Sequence, residues 1–252
     1  MLWWRKKERA PLLVGGFTDI GLTRTENQDA FGIFPPTQGT ENPVHLFIVA
    51  DGMGGHQDGR EASQLAVSGI STAFFEASGP IGTRLQAGYA YANERIQAYA
   101  QQHHSVSKMG TTCTTLALAQ GQLYLAHVGD SRAYRFRNGS LQQLSRDHTL
   151  VAQLQEEGVI TEEEAASHPR RNVLVRALGT MPEVEVDVVE LGPVQSGETY
   201  LLCSDGLSRI QPAELKQIVQ TLAPEEASKR LTERANEYGG HDNSTAVIVR
   251  FP

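Results

Sequence analysis

The chain has 252 residues, of which 40% are hydrophobic and 20% are charged, and its formal net charge is −7. This length allows one large domain or two small ones, and the acidic balance argues against a general nucleic-acid binder. The two cysteines, Cys113 and Cys203, lie inside apolar runs. They are therefore predicted to be core residues of a reducing compartment rather than partners in a disulfide.

The N-terminal segment, residues 1–12, is predicted to be a flexible extension that precedes a single domain over residues 13–252. Its Trp3, Trp4 and the basic run from Arg5 to Lys7 leave a weak contact with a membrane surface open. The apolar stretch there is too short to span a bilayer, and no long apolar segment follows. We therefore expect a cytoplasmic protein without stable membrane insertion.

Short strands and turns dominate the first part of the chain. "LLVGGFTD" and "DAFGIF" are typical of strands, "PPTQGTENP" is typical of a loop, and "VHLFIVA" is typical of a buried strand. In "REASQLAVSGISTAFFEA" the apolar residues recur on one face of a helix. A second helix, rich in alanine and glutamine, is predicted over roughly residues 82–101.

Strands are predicted again in residues 111–144, where Gln120–Gly121 and Asn138–Gly139 suit hairpin turns. Residues 147–177 have an irregular, helical pattern and are predicted to form a small subdomain. The strands "VEVDVVEL" and "ETYLLCS" follow, then helices over 212–222 and 224–237 and a last strand, "NSTAVIVRF". Hairpin-linked strands with paired helices between them predict an α+β fold, with antiparallel sheets and external helices.

Five aspartates occupy similar positions, most of them directly after or before an apolar strand. They are Asp29, Asp51, Asp130, Asp205 and Asp242. Any one of them alone is as well explained by an ordinary turn. Together they predict carboxylates that converge at one end of two facing sheets, and such carboxylates must either bind protons or bind cations. Hard oxygen ligands favour Mg²⁺ or Mn²⁺ over Zn²⁺.

Six segments in order, "RTENQD", "VADGMGG", "MGTT", "HVGDSR", "SDGL" and "GGHDNST", make this sequence resemble the metal-dependent serine/threonine protein phosphatases of the PPM, or type 2C, family. The form "DGMGG" resembles the bacterial branch. The resemblance covers about residues 14–251. It implies a four-layer sandwich in which two antiparallel β-sheets are flanked by helices, with metals in a cleft at one edge and a flap over about residues 147–177.

The resemblance also implies metal-binding roles for individual residues. Asp51 would bridge two Mg²⁺ or Mn²⁺ ions, and the carbonyl of Gly52 would complete the shell of one of them. Asp205 and Asp242 would bind one of these ions directly, and Asp29 would act through a metal-bound water. Asp130, together with Asp205, would hold a weaker third ion.

Other positions concern the substrate. Arg24 corresponds to the arginine that binds the substrate phosphate, although an exposed surface cation is the alternative. Met53 stands where many eukaryotic relatives have a histidine proposed to protonate the leaving group, and it has no proton to donate. His56 lies three residues further and is a candidate for a related role or for substrate binding, with an idle loop histidine as an equal alternative. Gln28 is neutral and is not counted as a ligand.

The activity implied is hydrolysis of phosphoserine and phosphothreonine esters in proteins by metal-activated water, without a phosphoenzyme. Two alternatives are a non-catalytic relative that binds phosphoproteins, and a metal-dependent phosphoesterase of small metabolites. Arg170, Arg171 and Arg176 in the flap are candidates for attracting a phosphorylated substrate, although a solvated surface explains the first two equally well. A phosphorylated protein is the expected partner, and a monomer is the expected state.

Overall fold

The computed structural model describes residues 12–36, 43–54, 57–103 and 109–252. Almost all of the predicted N-terminal extension, and with it Trp3 and Trp4, lies outside these ranges. The strands are β1 (Leu13–Asp19), β2 (Asp29–Phe34), β3 (Val44–Met53), β4 (Gly110–Thr111), β5 (Cys113–Ala119), β6 (Gln122–Val128), β7 (Arg132–Arg137), β8 (Ser140–Gln143), β9 (Asp187–Pro193), β10 (Thr199–Cys203) and β11 (Ser244–Arg250). The helices are α1 (Gln57–Glu76), α2 (Ile81–Gln102), α3 (Leu150–Glu156), α4 (Glu162–Ser167), α5 (Pro212–Thr221) and α6 (Pro224–Glu237).

These strands form two antiparallel sheets. The first sheet has the order β1-β11-β10-β7-β8, and the second has the order β2-β3-β5-β6-β9, with β4 paired to β3. The two predicted hairpin turns are confirmed by positive φ angles of 51° at Gln120 and 49° at Asn138. Residues of these two types adopt the left-handed conformation at the turns, and each is followed by a glycine.

The layers are held together by three apolar cores. Helices α1 and α2 pack on the second sheet in a core that includes Ile70. Helices α5 and α6 pack on the first sheet in a core that includes Leu231. The sheets face each other through side chains such as Phe47, Leu202 and Val247. The predicted α+β sandwich of two antiparallel sheets flanked by helices is therefore confirmed.

Strand β10 explains why an apolar run in the sequence leads directly to Asp205. Every residue of β10 is buried. Leu201 and Cys203 face the core under α5 and α6, whereas Tyr200 and Leu202 face the core between the sheets. Because both faces are covered, the strand has no polar alternation. The buried strand therefore holds Asp205 in a fixed position. Asp205 begins a short 3₁₀ turn two residues after the strand ends.

Some predicted boundaries differ from the structure. The ladder of β9 with β6 begins at Asp187, although the alternating pattern predicted a strand from Val184. Val184 and Val186 instead pack against the core under α1 and α2 without strand pairing. The 147–177 segment contains only α3 and α4, and Thr161 and Glu164 form a capping box at the start of α4. Among the described residues, no helix is long and apolar enough to cross a membrane.

Candidate metal centre

The five predicted aspartates lie in strands, or within two residues of a strand end, of both sheets. In the second sheet, Asp29 begins β2 and pairs directly with Asp51 in β3. Asp130 lies just after β6 of the same sheet. In the first sheet, Asp205 follows β10 and Asp242 precedes β11. The ends of these strands therefore supply carboxylates from both sheets to one space.

This space is a cavity of about 310 Å³. It is lined by Arg24, Gln28, Asp51, Gly52, Met53, Gly54, Thr112, Asp130, Asn172, Leu174, Asp205, Asp242 and Asn243. The structure thus brings together six of the eight predicted site residues. Asp29 lies behind the lining, where its side chain is buried, and His56 lies outside the described residues.

Burial and mutual repulsion raise the pKa of four of these carboxyl groups, those of Asp29, Asp51, Asp130 and Asp205. Burial, reinforced by repulsion from Asp29 and Asp205, raises the pKa of Asp51 well above its usual value. Burial raises the pKa of Asp29 and of Asp130 to about 7 in each case, and the negative charge of Asp205 adds to both shifts. Burial also raises the pKa of Asp205. Positive charge bound in this cavity would therefore stabilise the ionised carboxylates.

One carboxylate oxygen of Asp29 supports the same conclusion. Asp29 Oδ2 accepts hydrogen bonds from Ser204 and Thr245, each at 2.7 Å. Asp29 Oδ1 is buried and has no hydrogen-bond partner among the described residues. A buried acceptor without a partner is costly unless water or a cation satisfies it, so the residues present fit a hydrated divalent ion.

The arrangement also indicates which kind of ion fits. Within the described ranges, no group of three or more His, Cys, Asp or Glu side chains is placed to hold one ion. A metal enclosed entirely by side chains, as in structural zinc sites, is therefore not supported by these residues. Mg²⁺ and Mn²⁺ favour carboxylate, carbonyl and water ligands, and Mg²⁺ retains several waters, so few protein ligands per ion are needed.

Arg24 lies at the exposed side of the cavity. Its Nη2 donates to Asp242 Oδ2 at 2.7 Å, and the side chains of Arg24 and Asp242 are 49% and 37% exposed. This hydrogen bond raises the pKa of Arg24, so the guanidinium stays charged. Its partly exposed fork of donors is suited to a phosphate group. The structure places Arg24 beside the carboxylates, in the lining of the cavity.

Both Asp-Gly pairs at the cavity need glycine for close packing. A Cβ atom on Gly52 would lie 1.9 Å from the carbonyl oxygen of Gly59, and one on Gly206 would lie 2.0 Å from that of Asn243. Neither position can accept a side chain without moving backbone. The recurring Asp-Gly pattern thus reflects backbone segments packed directly behind the carboxylates.

Asn243 is a supporting residue that the sequence reasoning did not single out. Its buried side-chain amide donates to the carbonyl oxygens of Ile20 and Glu26 at 2.9 and 3.0 Å, and its Oδ1 accepts from the Gln28 N–H at 2.8 Å. These three bonds hold the loop that carries Arg24 beside the start of β11. Its position next to Asp242 in "HDNST" was the only hint in the sequence.

The three arginines of residues 147–177 differ in their surroundings. Arg170 and Arg171 are exposed. Arg176 donates to Asp187 at 3.0 Å and forms an ion pair with Glu185, also at 3.0 Å. From the same segment, Asn172 and Leu174 line the cavity. Residues 147–177 therefore meet the predicted site through Asn172 and Leu174, while Arg176 is engaged in ion pairs.

Comparison with known proteins gives consistent results. A family model described as protein phosphatase 2C matches residues 23–243. A serine/threonine phosphatase, stp, from Listeria innocua is 41% identical over 240 residues, covering 92% of this chain and 93% of its own. The crystal structure of the serine/threonine phosphatase PstP from Mycobacterium tuberculosis has a TM-score of 0.86 and 36% identity, covering 95% of this chain and 98% of its own.

A further crystal structure, of the catalytic domain of PstP in complex with two manganese ions, has a TM-score of 0.81 and 34% identity. It covers 95% of this chain and 97% of that chain. The predicted activity, that of a metal-dependent protein-serine/threonine phosphatase, is confirmed by these relatives. With a family model that spans most of its length and relatives this similar, the chain belongs to the protein phosphatase 2C family.

Proposed function

We propose that phosphoserine and phosphothreonine esters in proteins are hydrolysed in the 310 Å³ cavity, by direct attack of water and without a phosphoenzyme. The observation that carries this proposal is the convergence of carboxylates from both sheets on one cavity that also contains Arg24. With divalent ions held by these carboxylates, and with Arg24 beside them, such a site would supply positive charge for the phosphate oxygens and would need no nucleophilic side chain.

The residues assigned to two Mg²⁺ or Mn²⁺ ions, with a weaker third, are Asp29, Asp51, Gly52, Asp130, Asp205 and Asp242. Asp51 would serve two ions and the Gly52 carbonyl one of them, Asp205 and Asp242 would hold one of these ions, and Asp29 would act through water. Asp130 and Asp205 hold the third. The crowded carboxylates and the two manganese ions of the relative PstP support this assignment.

Bound divalent ions supply Lewis-acid chemistry, which makes water nucleophilic near neutral pH and offsets charge on the phosphate. Arg24 binds two phosphate oxygens through its planar fork and orients the ester for in-line displacement. Met53, in the cavity wall, has no proton to give to the departing serine or threonine oxygen. His56 is the candidate for that proton transfer, or for contact with the substrate.

The substrate is a phosphorylated protein, and the enzyme acts as a monomer. Asn172 and Leu174 contribute polar and apolar surface to the cavity from the flap. These side chains border the position of the phosphorylated residue and contact the neighbouring peptide.

The test measures phosphate release from a phosphothreonine peptide with Mn²⁺, with EDTA, and with Asp205→Asn. We expect Mn²⁺-dependent turnover that EDTA abolishes and that Asp205→Asn lowers by on the order of 10³-fold, since lost electrostatic stabilisation of several kcal/mol corresponds to several factors of ten. Glu190→Gln, an exposed carboxylate on β9, is the matched control and should be unaffected. A folded wild type that binds Mn²⁺ but releases phosphate only from nucleotides or small esters would contradict the proposal.

The role of Arg24 is tested by comparing Arg24→Lys with Arg95→Lys on α2. Lysine keeps the charge but loses the fork, so kcat/KM of the Arg24 variant should fall about 10-fold or more, mainly through KM. Arg95→Lys should leave both constants unchanged. Equal constants for all three proteins would remove Arg24 from the phosphate-binding site.

A further inference from the structure

The two sheets are joined by hydroxyl groups directly behind the metal-binding cavity. Asp29 belongs to β2 of the second sheet, whereas Ser204 directly follows β10 and Thr245 belongs to β11 of the first sheet. Both hydroxyls lie 2.7 Å from the same oxygen, Asp29 Oδ2. The side chains of Ser204 and Thr245 are buried, at 1% and 0% exposure. These bonds therefore link the carboxylates of one sheet to the strands that carry the others.

The donor and the acceptor of each hydrogen bond in this network can be assigned from the partners of the two groups. The Ser204 hydroxyl accepts from the Thr245 N–H at 2.9 Å, so its only proton is free to be donated to Asp29. Thr245 Oγ1 lies 2.7 Å from Thr18 Oγ1, and Thr18 in turn accepts from Asn27 Nδ2 at 2.9 Å. Thr18 therefore donates to Thr245, and Thr245 donates to Asp29. Both chains of donors end on Oδ2.

The backbone of Asp29 is fixed as well. Its N–H donates to Asn27 Oδ1 at 3.1 Å, and its residue pairs with Asp51 across the β2–β3 ladder. With Oδ2 held by two donors, the carboxylate cannot rotate without breaking buried hydrogen bonds. Oδ1, which has no partner among the described residues, is then the oxygen left for the metal centre.

We propose that Ser204 and Thr245 are positioning residues that hold Asp29 Oδ2, so that Oδ1 stays available to the metal centre through water and the carboxylates of the two sheets keep their spacing. This inference rests on the proposed metal centre. Residues that orient a ligand or its water through a hydrogen bond typically change metal affinity about 10–100-fold when they are removed. The effect is therefore expected on Mn²⁺ binding itself, before any substrate is present.

Thr245 allows a matched pair of substitutions. Thr245→Val keeps the shape and removes the hydroxyl, whereas Thr245→Ser keeps the hydroxyl and removes the methyl group. Calorimetric titration of each protein with Mn²⁺, without substrate, should show a Kd raised about 10-fold or more for valine and a Kd near that of wild type for serine. Equal effects of the two substitutions would indicate packing instead of positioning and would overturn the proposal.

Ser204→Ala provides an independent test, with Ser244→Ala as its control. Ser244 is also buried, near the same end of the sheet, but its Oγ has no hydrogen-bond partner in the described part of the chain. Ser204→Ala should raise the Kd for Mn²⁺ about 10-fold or more, while Ser244→Ala should leave it unchanged. Unfolding in EDTA establishes that each variant is folded before titration. Equal Kd values for the two variants would overturn the proposal.

A double-mutant cycle tests whether Ser204 acts through Asp29. In an Asp29→Asn background, Ser204→Ala should change the Kd for Mn²⁺ by less than about twofold, because the carboxylate that it positions is absent. If Ser204→Ala still raised the Kd for Mn²⁺ about 10-fold in that background, Ser204 would not act through Asp29, and the proposal would be overturned. Failure of the metal centre gives a different result, since the wild type itself would then bind no Mn²⁺ and release no phosphate.

Discussion

Two clusters of ionisable groups, each with buried members, lie near the same end of the sandwich, and they are satisfied in different ways. The aspartate cluster consists of Asp29, Asp51, Asp130, Asp205 and Asp242. The histidine cluster consists of His127, His148, Asp187 and Arg176, with the two imidazole rings 4.9 Å apart between centroids. The comparison shows how a buried polar group that serves the fold differs from one that is prepared for a ligand.

In the histidine cluster, each ring nitrogen has a protein partner. His127 Nδ1 lies 2.9 Å from the Thr114 hydroxyl, and its Nε2 donates to the carbonyl oxygens of Gly129 and Arg146 at 3.0 and 2.9 Å. His148 accepts from the Gly129 N–H and donates to Asp187. Burial lowers the pKa of His127 to about 4, so the ring is neutral. No further ligand is needed to satisfy these rings.

The aspartate cluster has the opposite character. Burial and like charges raise the pKa values of Asp29, Asp51, Asp130 and Asp205, and Asp29 Oδ1 lacks a partner in the described ranges. A structure maintains such a cluster at a cost to the stability of the metal-free protein. The difference teaches that incomplete satisfaction, more than the mere presence of buried charge, identifies the functional cluster.

The largest expected effect is that of Asp51→Asn. Activity should fall on the order of 10³-fold, since electrostatic stabilisation worth several kcal/mol is removed. In EDTA, however, the free energy of unfolding at pH 7 should rise, because the cost of burying a carboxyl group whose pKa is raised is removed. Phosphate release and denaturant unfolding measure the two effects. A variant that is less stable than wild type in EDTA would show that this cluster is satisfied without metal.

The histidine cluster should behave in the opposite way. His127→Leu has a similar volume but leaves the Thr114 hydroxyl and two carbonyl groups without their partner. We expect the free energy of unfolding to fall by about 3 kcal/mol, with or without Mn²⁺. His45→Leu, at a half-exposed position on β3, is the control and should change it by less than about 1 kcal/mol. A stable His127→Leu protein would remove the contrast between the clusters.

The pH dependence of metal-free stability should also differ in sign. Asp130 has a folded pKa of about 7 against an ordinary value of 3.8, so between these values the folded state binds more protons than the unfolded state. Its contribution to stability therefore falls as pH rises from about 4 to 7. His127, with a folded pKa of about 4 against 6.5, contributes stability that rises with pH over that interval.

Denaturant unfolding in EDTA at pH 4.5 and pH 7 measures this difference. The stability of Asp130→Asn relative to wild type should increase by about 2 kcal/mol between these pH values, because the variant has no carboxyl group to deprotonate there. Saturating Mn²⁺ should reduce the increase, since the ions favour the ionised wild type. A relative stability that does not change with pH would contradict the raised pKa of Asp130.

The positions of the aspartates could be predicted because their pattern is local. Asp51 and Asp205 each follow an apolar run and precede a glycine, and strand ends at one edge of a sandwich come together through the fold. Asn243 could not be assigned its role in this way. Its amide bonds Ile20 and Glu26, which are more than 200 positions away, and no sequence pattern of either segment specifies the other.

The start of β9 shows that a sequence pattern is also limited in predicting where a strand begins. Val184 and Val186 alternate with polar residues and therefore predicted a strand, but apolar side chains at this spacing can reach a core without backbone pairing. The hydrogen-bonded ladder begins at Asp187, opposite His127. The start of β9 is therefore set by its partner strand β6. Periodicity predicts which side chains are buried more reliably than it predicts where hydrogen bonding begins.

The smallest expected effect concerns Arg176, whose sequence context made it a candidate for attracting phosphate. Its guanidinium is held by Glu185 and Asp187, and Asp187 also accepts from His148, so its charge is already paired. Arg176→Gln should therefore change kcat/KM for a phosphothreonine peptide by less than about threefold and stability by about 1 kcal/mol or less. Arg24→Gln provides the comparison, with an expected loss of about 10-fold or more. If Arg176→Gln raised KM as strongly as Arg24→Gln, the arginine would have to leave the histidine cluster to bind substrate, and that cluster would then be functional as well as structural.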